Sequence, residues 1–202
     1  MRIWLKSLHG IYDVHALVAL DVPWWAFGAA DSVDGFLAGR PAPRVFEWGS
    51  GASSVWLAKR AASVVSVEHD EAWAAEIAQH LPGNVTLRHV VAPDSVEPDA
   101  VRSHRRGEEN RDFREYVGAI DAQDGAFDLI VIDGRAREAC LERAVRRLAP
   151  GGLIVFDNTD RRRYRRAIAE HAGAFTVRTM RGLTPALPYP TRTALLSAGR
   201  DG

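Results

Sequence analysis

Cysteine occurs once in the 202 residues, at Cys140, so no disulfide can form within the chain. Its surroundings, Arg137-Glu-Ala-Cys-Leu-Glu-Arg143, look helical and favour a buried, inert thiol over a nucleophile. Lysine is nearly as scarce, with Lys6 and Lys59 alone, and the remaining positive charge is arginine. That bias reads as composition rather than function. Acidic and basic residues number 26 each, so a net charge of +0 exerts no overall pull toward nucleic acid or an anionic membrane. No stretch approaches the roughly 20 apolar residues that a membrane span requires. Lys6 and His9 interrupt the N-terminal segment, which therefore does not read as a signal peptide. The expectation is a cytoplasmic protein with no membrane contact.

Enough apolar material is present for a core: 47% of residues are hydrophobic and 26% charged. The length suits one α/β domain spanning 1–202. Within it, 1–43 reads as an N-terminal helical cap. His15–Leu20 is apolar, Asp21-Val-Pro23 breaks it, Trp24-Trp25-Ala-Phe27 starts a second apolar block, and Gly39–Pro43 is a turn-rich linker. The remainder, 44–198, alternates strands with helices.

Val45-Phe46 reads as the first strand of that core and Val55–Ala61 as the helix after it. Ser63–Val67 is a β-branched strand, and Asp70 is placed to cap a helix over 71–80. Val85–Val91, Phe127–Asp133 and Leu153–Phe156 read as further strands, with a helix over 137–148 stopped by Pro150-Gly151-Gly152. Thr159 or Asp160 can cap a helix starting at Arg161. The last two strands, 174–180 and 191–197, have only a Pro-rich connection and should be antiparallel neighbours. The pattern predicts an α/β fold whose sheet is mostly parallel, with one antiparallel strand near its edge. Residues 92–123 are the least regular part; the charge-dense run Arg102–Tyr116 within them reads as a solvated loop and helix face, or alternatively the loop reads as a lid.

Chemistry concentrates around Arg44–Leu57. Gly49-Ser50-Gly51 makes a tight turn after the first strand, and Ser53-Ser54 opens the following helix. Glu68 closes the second strand twenty-one residues after Glu47, a spacing that suits a carboxylate holding a ribose diol. A dinucleotide fingerprint would place a third glycine where Ser54 stands. An acid immediately before the turn would repel a pyrophosphate and attract an ammonium group. A nicotinamide-dinucleotide-binding oxidoreductase is thus the weaker alternative, beside a non-catalytic module that has kept the fold for binding.

These residues resemble the class I S-adenosylmethionine-dependent methyltransferases. The likeness rests on Glu47-Trp-Gly-Ser-Gly51, Val67-Glu68, Phe127–Gly134, Leu148-Ala-Pro-Gly-Gly-Leu153 and the two closing strands. It implies a Rossmann-like three-layer sandwich and S-adenosyl-L-methionine as cofactor. It also implies a cofactor site made of Glu47, Gly49, Ser50, Gly51, Ser53, Ser54, Glu68, His69 and Asp133. Glu47 would lie near the amino group, Glu68 on the ribose and His69 beside adenine. After the third strand, Val91-Ala-Pro93 lacks the usual polar adenine contact.

The resemblance implies an O-methyltransferase acting on a small molecule, and the zero net charge and absence of interleaved stacking aromatics argue against nucleic acid. Asp133 and His69 are the catalytic candidates, with His104 and Tyr116 as further possible bases. Trp24, Trp25, Tyr116 and Arg135 are candidate acceptor contacts. Asp133, Asp157 and Asn158 also resemble the Mg²⁺ ligands of metal-dependent, catechol-type O-methyltransferases. Otherwise Asp157-Asn158 merely end a strand. The basic run Arg161–Arg166 reads as a solvated helix face, or as a grip on an anionic acceptor. His9, His80 and His171 read as ordinary surface or core residues.

Overall fold

The computed structural model describes residues 2–8 and 14–198. Met1 and His9, which entered the reading of the N-terminus, lie outside the described residues. Helices α1 (Arg2–Ser7), α2 (Val14–Leu20) and α3 (Phe27–Ala38) precede the sheet. Then follow β1 (Arg44–Trp48), α4 (Ala52–Ala58), β2 (Ser63–Glu68), α5 (Glu71–Ala78) and β3 (Val85–His89). Next come α6 (Arg114–Gly118), β4 (Phe127–Ile132), α7 (Arg137–Arg147) and β5 (Leu148–Phe156). The described chain ends with α8 (Arg162–Glu170), β6 (Phe175–Gly182) and β7 (Thr191–Ala198).

These strands form one seven-stranded sheet in the order β3-β2-β1-β4-β5-β7-β6. β7 runs antiparallel to both neighbours, and all other pairings are parallel. This is the expected arrangement. Side-chain alternation along β4 explains the layering. Ile130 and Ile132 pack with α6, α7 and α8, while Leu129 and Val131 pack with α3 and α4; Phe127 joins the first group because the ladder shifts register between it and Leu129. Burial on both faces makes β4 continuously apolar from Leu129 to Ile132. Cys140 lies wholly inside the first layer, where burial pushes its thiol well above the ordinary range. No described helix is long and apolar enough to cross a membrane.

Four local expectations need correction. β3 ends at His89 rather than Val91. β5 already begins at Leu148, since Leu148 pairs with Phe127 before the ladder shifts register. Neither Thr159 nor Asp160 caps α8, whose N-cap is Arg161 with no side-chain bond. The Thr159 hydroxyl donates to the Arg192 carbonyl, and the Asp160 carboxylate accepts from the Arg192 amide, so both hold β7 instead. The 92–123 stretch is not simply solvated: Phe113 and Tyr116 are fully buried, and Asp94 bridges to Arg111. Asp70 does cap α5, accepting from the Trp73 amide at 2.9 Å.

The Gly49 turn depends on its first glycine. Gly49 has φ +97°, and a Cβ there would lie 2.7 Å from the Gly134 backbone. Gly51 is extended at φ 179°, and its nearest neighbour to a new Cβ is the Ser53 hydroxyl at 3.9 Å. Gly49→Ala should therefore cost at least about 2 kcal/mol in urea denaturation, and Gly51→Ala less than about 1 kcal/mol. Equal losses at the two positions would contradict this account of the turn.

Candidate active site

Parallel strands that turn away in opposite directions open a crevice at their C-terminal ends. β1 stands at that point, between β2 and β4. The ends of β1, β2, β4 and β5 bring Gly49–Gly51, Glu68–Asp70, Asp133–Arg135 and Asp157-Asn158 to one edge. Backbone bonds prolong the ladders there. The Gly49 amide donates to the Val67 carbonyl at 2.9 Å, and the Asp133 amide to the Trp48 carbonyl at 3.0 Å. Ala136 and Asn158, just beyond β4 and β5, have φ of 46° and 58°. Left-handed non-glycine residues of this kind gather where an edge is shaped for binding.

Glu47 is fully buried. It accepts from the Ser53 and Ser54 hydroxyls at 2.5 Å each and from Ser66 at 2.7 Å. The carboxylate thus joins β1, the first turn of α4 and β2. Burial drives its pKa from 4.5 to about 7, against the pull of the three hydroxyls. Ser54 also accepts from the Gly51 amide at 3.1 Å, and Ser50 bonds Ser66 at 2.7 Å. Glu47, Ser50, Gly51, Ser53 and Ser54 are therefore in one network, while the Gly49 amide bonds the Val67 carbonyl. Ser66, the residue that closes it, carried no recognisable signal beyond its place in a buried strand.

Glu68 accepts from the backbone amides of His69 at 2.7 Å and Asp70 at 2.9 Å, and its Oε1 lies 2.6 Å from His69 Nδ1. All three contacts fall on Oε1. His69 is pinned from the other side too, with Nε2 3.2 Å from Glu108, which pairs with Arg135 at 2.5 Å. Burial opposes protonation of His69, but its bonds to Glu68 and Glu108 outweigh this and raise its pKa. Glu108 comes from the charge-dense loop and escaped the sequence reading, because nothing marks it among its charged neighbours. His104, the other loop candidate, makes none of these contacts.

At the ends of β4 and β5 the organising residue is Arg137, also unforeseen. Only its i,i+4 spacing from Asp133 could have suggested it. Its buried guanidinium donates to the Gly134 carbonyl at 3.0 Å, the Asp157 carbonyl at 2.8 Å and the Asp133 carbonyl at 2.6 Å. It also pairs with the Asp133 carboxylate at 2.9 Å. Burial raises the pKa of Asp133, and Arg137 opposes the shift. The Trp25 indole approaches this carboxylate without ordinary hydrogen-bond geometry. Asp157 accepts from Thr193 and Asn158, at 2.5 Å each, on different oxygens. Burial and neighbouring Asp133 push its pKa from 3.8 to about 7.

This arrangement does not fit a divalent cation. Asp157 has both oxygens engaged, Asn158 turns its amide toward Asp157, and Arg137 already supplies positive charge beside Asp133. Asp133, Asp157 and Asn158, expected as Mg²⁺ ligands, are placed here as a cluster whose polar groups are bonded to one another and to Arg137 and Thr193.

Of the predicted acceptor contacts, Tyr116 is fully buried against His69 and Phe113, with a hydroxyl that makes no ordinary hydrogen bond. That hydroxyl sits where a Cβ on Gly134 would fall. Trp25 is also fully buried and packs edge-on to Trp56 at 5.9 Å. Trp24 lies against Leu17, Ala52 and Ala186, beside the start of α4. Arg135 remains partly exposed beside Glu108.

Glu47 and Asp157 make stability pH-dependent with a definite sign. Their folded pKa values are raised, so the folded protein binds their protons more tightly than the unfolded chain. The Glu47 contribution is complete below about 4.5 and is lost as pH rises through about 7. Glu47→Gln should flatten stability between these limits by on the order of 3 kcal/mol. Denaturant titrations at pH 5 and 8 measure this, and an unchanged pH slope would refute the shift.

The family profile described as "Methyltransferase domain" matches residues 46–159. No curated protein matches the sequence significantly. Among solved structures, an O-methyltransferase from Bacillus cereus in complex with SAH has a TM-score of 0.66 at 17% identity, covering 95% of this chain and 90% of that one. The O-methyltransferase TomG from Streptomyces achromogenes, involved in tomaymycin synthesis and in complex with SAM, has a TM-score of 0.64 at 18% identity, covering 96% and 90%. An rRNA methylase from Streptococcus thermophilus has a TM-score of 0.57 at 14% identity, covering 83% and 95%. These likenesses establish the shared fold. The family match spans over half the chain and contains all four strand ends of the crevice, so the chain belongs to the methyltransferase-domain family.

Proposed function

We propose that the chain transfers the methyl group of S-adenosylmethionine to an oxygen of a small-molecule acceptor, without a divalent cation. One observation carries this reading: the Gly49 turn and Glu68 share an edge, with Glu68 keeping Oε2 clear of its three internal contacts. That oxygen is suited to a ribose hydroxyl, while the Gly49–Gly51 turn is suited to the methionine end. Glu47 acts at one remove, by holding Ser53, Ser54 and Ser66 and thereby the shape of the turn. His69 positions Glu68 and carries the loop through Glu108, and with both ring nitrogens engaged it is not the base.

S-adenosylmethionine supplies a methyl already activated on a sulfonium, so the protein's share is alignment and exclusion of water. Asp133 is the group to accept the acceptor hydroxyl's proton as its oxygen bonds the methyl carbon and the carbon–sulfur bond breaks. Arg137 keeps Asp133 oriented. Trp24 and Arg135 keep surface for the acceptor, while the fully buried Trp25 and Tyr116 support the site from behind. Helices α1, α2 and α3 cap the core as part of one cytoplasmic enzyme.

An oxygen acceptor is favoured because two similar structures belong to proteins named O-methyltransferases. A small molecule is favoured over RNA by the balanced charge. The arginines of α8 weigh the same way, because Arg165 binds the Thr159 carbonyl and Arg166 pairs with Glu170. Neither the nicotinamide oxidoreductase nor the non-catalytic module draws support from the family match.

Calorimetry should show S-adenosylhomocysteine binding by the wild type and at least tenfold weaker binding by Glu68→Gln, about 1.4 kcal/mol. Methyl transfer should be unchanged in EDTA. Absence of binding by the wild type would sink the cofactor assignment, and loss of turnover in chelator would reinstate a cation.

A further inference from the structure

We propose a Zn²⁺ site formed by His15 of α2 together with Glu76 and His80 at the end of α5. One ligand atom from each residue lies within 4.8 Å of the others. The His15 and His80 rings stand edge to face, with centroids 4.2 Å apart at 90°. His80 Nε2 is enclosed by protein and has no hydrogen-bond partner. Among the described residues, neither the His15 ring nor the Glu76 carboxylate forms a hydrogen bond or ion pair. Three metal-ligating side chains thus converge without satisfying one another, and one of them carries an orphaned nitrogen.

Local structure explains the convergence. Glu76 and His80 are four apart on one face. Gln79 keeps helical dihedrals (φ −67°, ψ −16°) beyond Ala78, and the His80 amide bonds the Ile77 carbonyl at 2.9 Å. Apolar packing of Val14 and Val18 against Ile77, Trp73 and Leu81 brings α2 alongside. Zinc ligands at about 2.0–2.2 Å in a tetrahedron stand roughly 3.4 Å apart. The donors therefore close by about 1.4 Å at most, within reach of χ rotations in an exposed His15 and half-buried Glu76 and His80. Two imidazoles and one carboxylate suit Zn²⁺ and leave a fourth position for water, whereas Mg²⁺ prefers oxygen alone.

The site is separate from the methyl-transfer crevice. α5 begins beside Glu68 and runs back along the sheet, so its eight residues carry His80 about 12 Å away along the helix axis. A bound ion would fasten the N-terminal cap to the core through α2. None of its ligands belongs to the proposed methyl-transfer machinery, so the site stands or falls independently of it.

The test uses tag-free protein titrated with Zn²⁺ by calorimetry, with thermal midpoints measured in parallel. The expected result is one ion per chain and a raised midpoint, with affinity at least tenfold weaker in His15→Gln, Glu76→Gln and His80→Ala. Mg²⁺ should produce neither effect. Circular dichroism checks that each variant is folded, and the exposed His15 substitution keeps the test valid should His80→Ala unfold. No Zn²⁺ uptake by the wild type, or uptake unaffected by these substitutions, overturns the proposal.

Discussion

Two strand ends meet at Gly49 and Gly134 so closely that neither position has room for a Cβ. The contact fixes how far the β1 turn stands from the end of β4, and hence where Glu47, Glu68 and Asp133 lie relative to one another. Backbone bonds from Gly49 to Val67 and from Asp133 to Trp48 hold the approach from both sides. A side chain at either glycine would wedge the strands apart exactly where a ligand must be gripped without slack, so the geometry of the crevice is set by backbone before any functional group is considered.

Four acidic side chains at one edge would repel if left alone, and the fold deals with each differently. Glu47 is surrounded by three serine hydroxyls. Glu68 accepts from backbone amides and His69 through one oxygen. Asp133 is paired with Arg137, and the Asp157 carboxylate accepts from Thr193 and Asn158. Buried ion pairs contribute little net stability after desolvation, and their value lies in setting a single arrangement. Arg137 meets that description, since its bonds to carbonyls at the ends of both β4 and β5 hold two loops in one relation.

Much of this was legible along the chain. The buried strand Phe127–Ile132, the Asp70 cap and the single antiparallel strand follow from local pattern, because apolar periodicity and capping act over a few residues. The turn residues and Glu68 were legible through their spacing. Arg137, Glu108 and Ser66 were not. Each matters through a partner distant in sequence or through a register that only pairing reveals. The bonding of Asp133, Asp157 and Asn158 was hidden for the same reason, as residue types at strand ends do not disclose which oxygens are already engaged. His80 shows the converse: ordinary in isolation, it acquires meaning only beside His15.

By itself the sequence determined the alternation of strands and helices, the glycine turn and the strand-end acids, hence the fold class and the methyl-donor family. These depend on short-range chemistry, in which each residue's neighbours along the chain set its conformation. Tertiary structure alone decided which charges meet. It placed an arginine beside Asp133, closed both nitrogens of His69 between carboxylates, and left Glu68 with one oxygen clear of those contacts. The reason is physical: burial and partnership determine what a side chain can do, and both are properties of the packed molecule rather than of the string.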